Sequence, residues 1–179
     1  MTRVIAGGAR GRRLAAPRGT GTRPTSDKVR GAVFNVLGQF FDGGAVLDLY
    51  AGTGALALEA LSRGCARAVC VEVDRFAAEV IGENAASCGY ADRVEVRRGR
   101  VLDVLPRLPR DAFALVFVDP PYDEGPEGAL ALLEGAVAKG GRVVAEHDAR
   151  RPPAERYGAL ALADRRHYGG TGISIYVRE

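Results

Sequence analysis

The chain has no tryptophan, one methionine, two histidines and three cysteines. Cys65, Cys70 and Cys88 are odd in number and contain no C-x-x-C pair, so they suggest neither a disulfide framework nor a zinc site and read as buried thiols. His147 and His167 lie in separate segments without ligand spacing, which argues against a metal centre. No run of about 18 apolar residues exists for a membrane span, and Met1-Thr2-Arg3 opens no signal peptide, so a cytoplasmic protein with no membrane partner is expected. No G-x-x-x-x-G-K-[ST] stretch is present, which removes the P-loop enzymes. What is present suits one globular domain with a substantial core: 179 residues, 47% hydrophobic and 26% charged.

Acidic residues are scarce at the start of the chain. The first thirty residues hold eight Arg or Lys and one acid, Asp27, a charge of +7 against +3 for the whole chain. The remainder is therefore net acidic, at −4. Short apolar stretches, Val4-Ile5 and Leu14-Ala15-Ala16, flank a Gly-rich turn over 6–11, so the segment reads as a β-hairpin more than as a loose basic tail. Arginines on such a ribbon suit phosphates, giving salt-sensitive affinity with little sequence readout. The candidate RNA contacts are Arg10, Arg12, Arg13, Arg23, Lys28 and Arg30.

The chemistry-bearing motif follows the apolar run Ala114-Leu115-Val116-Phe117-Val118, in Asp119-Pro120-Pro121-Tyr122. Two prolines fix φ and remove two N–H donors, so the main chain offers carbonyl acceptors without competing donors. Asp119 and a proline carbonyl can accept from an exocyclic amine, and the Tyr122 ring can stack on a base; nothing here is a nucleophile. Pro-Pro is also an ordinary strand stop, so the corner needs support from elsewhere.

That support lies upstream. Ala45-Val46-Leu47-Asp48-Leu49-Tyr50 reads as a buried strand, and Ala51-Gly52-Thr53-Gly54 turns into a helix over 55–63. Glycines there let a ligand approach the backbone and the N–H groups of the helix start. A second strand ends in Glu72, roughly 20 residues after the turn, the spacing at which an acid grips ribose hydroxyls. Gly52-Thr53-Gly54-Ala55-Leu56-Ala57 also fits the dinucleotide pattern, which by itself leaves NAD open. The Asp119 corner favours methyl transfer to an amino nitrogen, since hydride transfer has no need of an acceptor-rich aromatic strand end.

Asp48-x-x-x-Gly52-x-Gly54 together with Asp119-Pro120-Pro121-Tyr122 resembles the class I methyltransferases of exocyclic amines. Arg3-Val4-Ile5-Ala6-Gly7-Gly8, Gly11-Arg12-Arg13-Leu14, Arg23-Pro24-Thr25-Ser26-Asp27-Lys28-Val29-Arg30, Phe34-Asn35-Val36-Leu37 and Tyr168-Gly169-Gly170-Thr171 narrow this to a resemblance to the RsmD family of 16S rRNA guanine-N2 methyltransferases. The resemblance runs essentially the whole chain, and the order of the motifs is its specific part. It implies S-adenosylmethionine as cofactor and small-subunit rRNA, naked or within an assembling particle, as partner. It implies a catalytic corner of Asp119, Pro120, Pro121 and Tyr122, and cofactor contacts from Asp48, Tyr50, Gly52, Thr53, Gly54, Glu72, Val73 and Val101. One departure stands out: Arg98-Gly99-Arg100-Val101 puts arginine where many relatives carry an acceptor for the adenine amino group. An adenine-N6 methyltransferase on DNA or RNA would use the same corner, and a non-catalytic RNA-binding protein with a relict cofactor fold is the alternative of another class.

The expected architecture is α/β: a Rossmann-like, mostly parallel seven-stranded sheet with helices on both faces and an N-terminal β-hairpin extension. Residues 1–24 form the basic extension and 25–179 the methyltransferase domain. Thr25 or Ser26 caps a helix to about residue 40; further helices cover 74–87, 101–108 and 128–138. Later strands cover 93–97, 113–118, 142–146, 159–165 and 173–177, and the resemblance adds that the last inserts antiparallel. Loops at 48–54, 72, 99–101 and 119–122 then converge on one crevice at the carboxyl ends of the strands.

Overall fold

In the computed structural model, described over residues 2–17, 27–121 and 123–179, apolar strand runs alternate with helices. In chain order the elements are α1 (Asp27–Leu37), β1 (Ala45–Leu49), α2 (Ala55–Ser62), β2 (Arg67–Glu72), α3 (Arg75–Ser87), β3 (Val94–Arg98), α4 (Val101–Val104), β4 (Phe113–Val118), α5 (Glu127–Leu133), β5 (Val137–Asp148), β6 (Arg156–Tyr157), β7 (Leu160–Tyr168) and β8 (Thr171–Arg178). One eight-stranded sheet runs β3-β2-β1-β4-β5-β8-β7-β6. The pairings from β3 to β5 are parallel, and β8 inserts antiparallel between β5 and β7. The expected seven strands become eight because a two-residue strand, β6, pairs with β7 at the edge.

Because successive strand side chains point to opposite faces, β1 feeds two cores. Val46 joins Phe117, Phe34 of α1, Leu58 of α2 and Ile81 of α3 on one face. Leu47 and Leu49 join Val101 of α4 and Leu130 and Leu133 of α5 on the other. Each fully buried Phe or Leu contributes about 1.5–3 kcal/mol from removal of apolar area. All three cysteines are buried in the first core, and burial pushes the Cys65 thiol up to about 11, which keeps it unreactive.

Element ends depart from the sequence reading where backbone geometry overrides periodicity. Helix α1 stops at Leu37, where Gly38 takes φ 95°. The expected helix at 128–138 ends at Leu133 because Val137 already pairs with Phe113. Strand β5 is accordingly longer than expected, with a register shift that carries the pairing from Val137 to Arg142. The proposed cap at Thr25 or Ser26 lies outside the described residues.

The first residues form a minimal antiparallel ribbon. Val4 N–H donates to the Arg12 carbonyl and Leu14 N–H to that of Thr2, both at 2.9 Å, around an Arg3–Arg13 bridge. Val4, Ala9 and Leu14 enter the same core as α1 and α2. Helix α2 holds the ribbon through two buried polar side chains. Glu59 accepts from Ile5 N–H (2.7 Å) and Ala6 N–H (3.0 Å), and Ser62 Oγ accepts from Ala9 N–H (3.0 Å) while donating to the Ala6 carbonyl. At Gly7, φ is 81° and a Cβ would lie 1.7 Å from the Ser62 carbonyl oxygen, so only glycine fits.

Candidate active site

The site is assembled at the carboxyl ends of β1, β2 and β4, neighbours in the sheet. After β1 the chain enters the left-handed region at Tyr50 (φ 62°), Gly52 (55°) and Gly54 (76°), then starts α2. A positive φ at a tyrosine costs about 1–3 kcal/mol, strain of the kind found at ligand loops. A Cβ on Gly52 would meet nothing within 4 Å, so the loop presents bare backbone to open space.

Two carboxylates hold this loop. Glu72 Oε2 accepts from Gly52 N–H at 2.8 Å and Oε1 from Asp74 N–H at 2.9 Å, which fixes the carboxylate while each oxygen keeps a second lone pair for a ligand hydroxyl. Asp48 is buried beneath the loop and accepts from Ala57 N–H at 3.1 Å. Burial pushes its pKa up to about 8, against the pull of the Ala57 N–H, and nearby Asp119 and Glu72 raise it further. At neutral pH Asp48 is thus mostly protonated, and it consumes from within one of the helix-start donors expected to face a ligand.

Around this centre, Val73 (63% exposed) and Phe76 (66%) leave apolar surface beside Glu72. Gly99 N–H donates to the Glu72 carbonyl at 3.0 Å, bringing the loop after β3 alongside, with Val101 buried below it and Arg100 exposed at the start of α4. Tyr50 turns to the other face, where its hydroxyl donates to Glu124 Oε1 at 2.9 Å; burial and that bond raise its pKa.

The corner after β4 places Asp119 and Pro120 half-buried and Pro121 exposed, while Tyr122 lies outside the described residues. Asp119 lines a narrow apolar cleft with Val33, Leu56, Phe117, Glu146 and Ile173, on the face that also carries the ribbon. The Pro121 carbonyl accepts from Glu124 N–H at 3.0 Å, closing the turn. An adjoining cleft of about 160 Å³ carries six carboxylates, of Asp119, Asp123, Glu124, Glu127, Glu146 and Asp148, against one cation among the described residues, Arg151. Phosphate is repelled there; an amino group is not. His147 on its wall has Nδ1 against the Asp148 carbonyl (2.8 Å) and Nε2 against Ser174 Oγ (2.9 Å), so both ring nitrogens are engaged, and burial lowers its pKa.

Arg10, Arg12, Arg13 and Lys28 are exposed on the ribbon and α1, and Arg23 lies outside the described residues. Arg30 is a correction. It is 1% exposed, donates to the Arg3 carbonyl and to Asp27 Oδ1 at 3.0 Å, and lies 3.9 Å from Glu59, so its guanidinium anchors the ribbon and is closed to phosphate. Glu59, Ser62 and Asn84 were not singled out by the sequence reading. The available signal was a polar residue on an otherwise apolar helical stripe, as in Ala77, Ile81, Asn84 and Ala85 of α3.

The family model described as Conserved hypothetical protein 95 matches residues 2–177. A putative rRNA methyltransferase of Bacillus subtilis, YlbH, is 38% identical over 179 residues, 97% of each chain. The chain belongs to the RsmD family of class I methyltransferases. Ribosomal RNA small subunit methyltransferase D of Escherichia coli is 39% identical over 135 residues, 74% of this chain and 66% of that protein. The solved structure of a putative methyltransferase of Escherichia coli, yhhF, superposes with a TM-score of 0.85 at 33% identity, covering 99% of this chain and 98% of that one. The family's methyl donor is S-adenosylmethionine, and the residues present fit it: bare backbone at Gly52, an anchored acceptor at Glu72 and apolar surface at Val73.

Proposed function

We propose that the protein transfers a methyl group from S-adenosylmethionine to the exocyclic N2 of a guanine in small-subunit rRNA. The observation that carries this reading is adjacency. The Gly52–Gly54 turn with its Glu72 anchor and the Asp119-Pro120-Pro121 corner end neighbouring strands, Leu49 pairing with Val118, and the basic ribbon packs on the same face of the sheet. The names of the Bacillus and Escherichia relatives support rRNA as the substrate class. The choice of guanine N2 rests on the family resemblance.

S-adenosylmethionine, when bound, supplies an electrophilic methyl group on a cationic sulfonium. Glu72 would hold its ribose hydroxyls, the 52–54 turn would receive its polar chain, and Val73 with the backbone at Val101 would flank its adenine. Thr53 and Tyr50 shape that turn, and Asp48 supports it from below. Asp119 and the Pro120 carbonyl accept from the guanine amino group, favouring the rehybridised nitrogen whose lone pair has left the ring. Tyr122 stacks on the base, worth about 1–3 kcal/mol, which partly offsets the few kcal/mol of unstacking it. The chain supplies orientation and electrostatics, with no covalent catalysis and no strong base. Residues 1–24 serve as the RNA-contact segment, with Arg10, Arg12, Arg13, Arg23 and Lys28 on phosphates, and 25–179 as the catalytic domain.

The test is transfer of labelled methyl to small-subunit particles lacking the modification, followed by nucleoside digestion. N2-methylguanosine that vanishes with Asp119→Ala is the expected result. N6-methyladenosine would keep the chemistry and overturn the guanine assignment; no label in any substrate would favour an RNA-binding protein without catalysis.

A further inference from the structure

Asn84 joins two parts of the molecule that are far apart in sequence. It lies on the buried stripe of α3, 2% exposed. Its Oδ1 accepts from Ala15 N–H at 2.8 Å, and its Nδ2 donates to the Ala15 carbonyl at 3.0 Å and to the Thr53 carbonyl at 2.9 Å. Ala15 continues the return strand of the basic ribbon, and Thr53 is the residue between Gly52 and Gly54. The carboxamide therefore pairs with Ala15 as one peptide unit pairs with another across a ladder, and spends its remaining hydrogen on the cofactor turn. Both amide hydrogens are used, so a shift of the ribbon and a shift of the turn cannot occur independently without leaving a buried polar group unpaired, at about 1–3 kcal/mol. Helix α2 closes the circuit: it begins at the turn and grips the ribbon through Glu59 and Ser62.

We propose that Asn84 is a positioning residue that couples the ribbon to the cofactor turn, so that RNA on the ribbon tightens cofactor binding and cofactor tightens RNA binding by the same factor. The inference rests on the functional reading above, with RNA on the ribbon and the adenosyl cofactor at the 52–54 turn. Reciprocity is required for any coupling between two equilibria, and factors of about 5–150 are usual.

The experiment is titration calorimetry of the full chain with S-adenosylhomocysteine, alone and with a saturating fragment of small-subunit rRNA. RNA should tighten binding at least about fivefold in the parent protein, and the factor should fall to about one in Asn84→Ala, whose fold is checked by its thermal melt. In Asn84→Asp, which keeps the acceptor for Ala15 N–H but loses both donors, the factor should fall equally. A purely structural role would weaken each ligand alone and leave the factor unchanged, which overturns the proposal, as does a parent factor of one. Hydrogen exchange on the parent protein needs no variant: S-adenosylhomocysteine should slow the amides of the ribbon, and unchanged ribbon amides would count against coupling. A parent protein that binds neither ligand overturns the functional reading itself, and is distinguishable because no factor can then be measured.

Discussion

At Asp48 and Arg30, burial rather than residue type decides the role. The Asp48 carboxyl has a pKa of about 8 in the fold against 3.8 for the free group, so the native state holds an extra proton through that window and the contribution of Asp48 to stability is lost as pH rises through it. Asp48→Asn keeps an acceptor for Ala57 N–H, and its melting temperature should fall less between about pH 5 and pH 8 than that of the parent; parallel curves would mean an ionised Asp48. The arginines divide in the same way. Arg30→Ala strips the Arg3 carbonyl of its donor while Glu59 keeps Arg63 Nε at 2.7 Å, and should cost about 1–3 kcal/mol in denaturant unfolding. Arg10→Ala should change stability by less than about 0.5 kcal/mol while weakening RNA binding. At the corner proposed as reactive, Tyr122→Ala should lower turnover well beyond its effect on S-adenosylhomocysteine affinity. Equal losses would mark Tyr122 as structural.

At the scale of elements, the ribbon and α2 behave as one piece, because Gly7 sits against the Ser62 backbone with no room for a methyl group. Gly7→Ala should lift the ribbon from α2 and reduce both thermal stability and RNA affinity, read by melting and by filter binding; retention of both would show that the ribbon can be reseated. The elements themselves were largely legible in the sequence. β4 falls at 113–118 as expected, and the loops at Gly52, Glu72 and Asp119 arise from a local pattern of apolar run, glycine or proline, and acid. What was not legible depends on contacts distant in sequence. Nothing near Arg30 announces that Glu59, 29 positions on, will share its burial. Nothing near Asn84 announces Ala15, 69 residues earlier. The bulge that lengthens β5 follows from pairing with Phe113, which single-strand periodicity does not report.

Over the whole molecule, charge is sorted by surface. The ribbon carries exposed arginines and packs into the core that Val33, Phe117 and Ile173 of the Asp119 cleft also join, while the adjoining cleft is lined mostly by carboxylates. Under the proposed function, a polyanion held at the ribbon is kept off the acidic wall, and the base is presented across that boundary. Removing Arg10, Arg12 and Arg13 together should reduce the slope of log affinity against log salt by about 0.7–0.9 for each lost phosphate contact. A slope that does not change would place the RNA elsewhere.

The antiparallel insertion of β8 also orders the birth of the molecule in time. β6 and β7 are made before β8, yet only β8 joins them to β5 and so to the rest of the sheet. Until it emerges, β5 is an open edge and β7 has only its two-residue partner, an arrangement prone to pairing with other chains. During synthesis the parallel half, with its 52–54 turn, can assemble early, whereas the outer half waits for one strand to close it. Damage confined to β8 should therefore show itself first as aggregation of newly made chains.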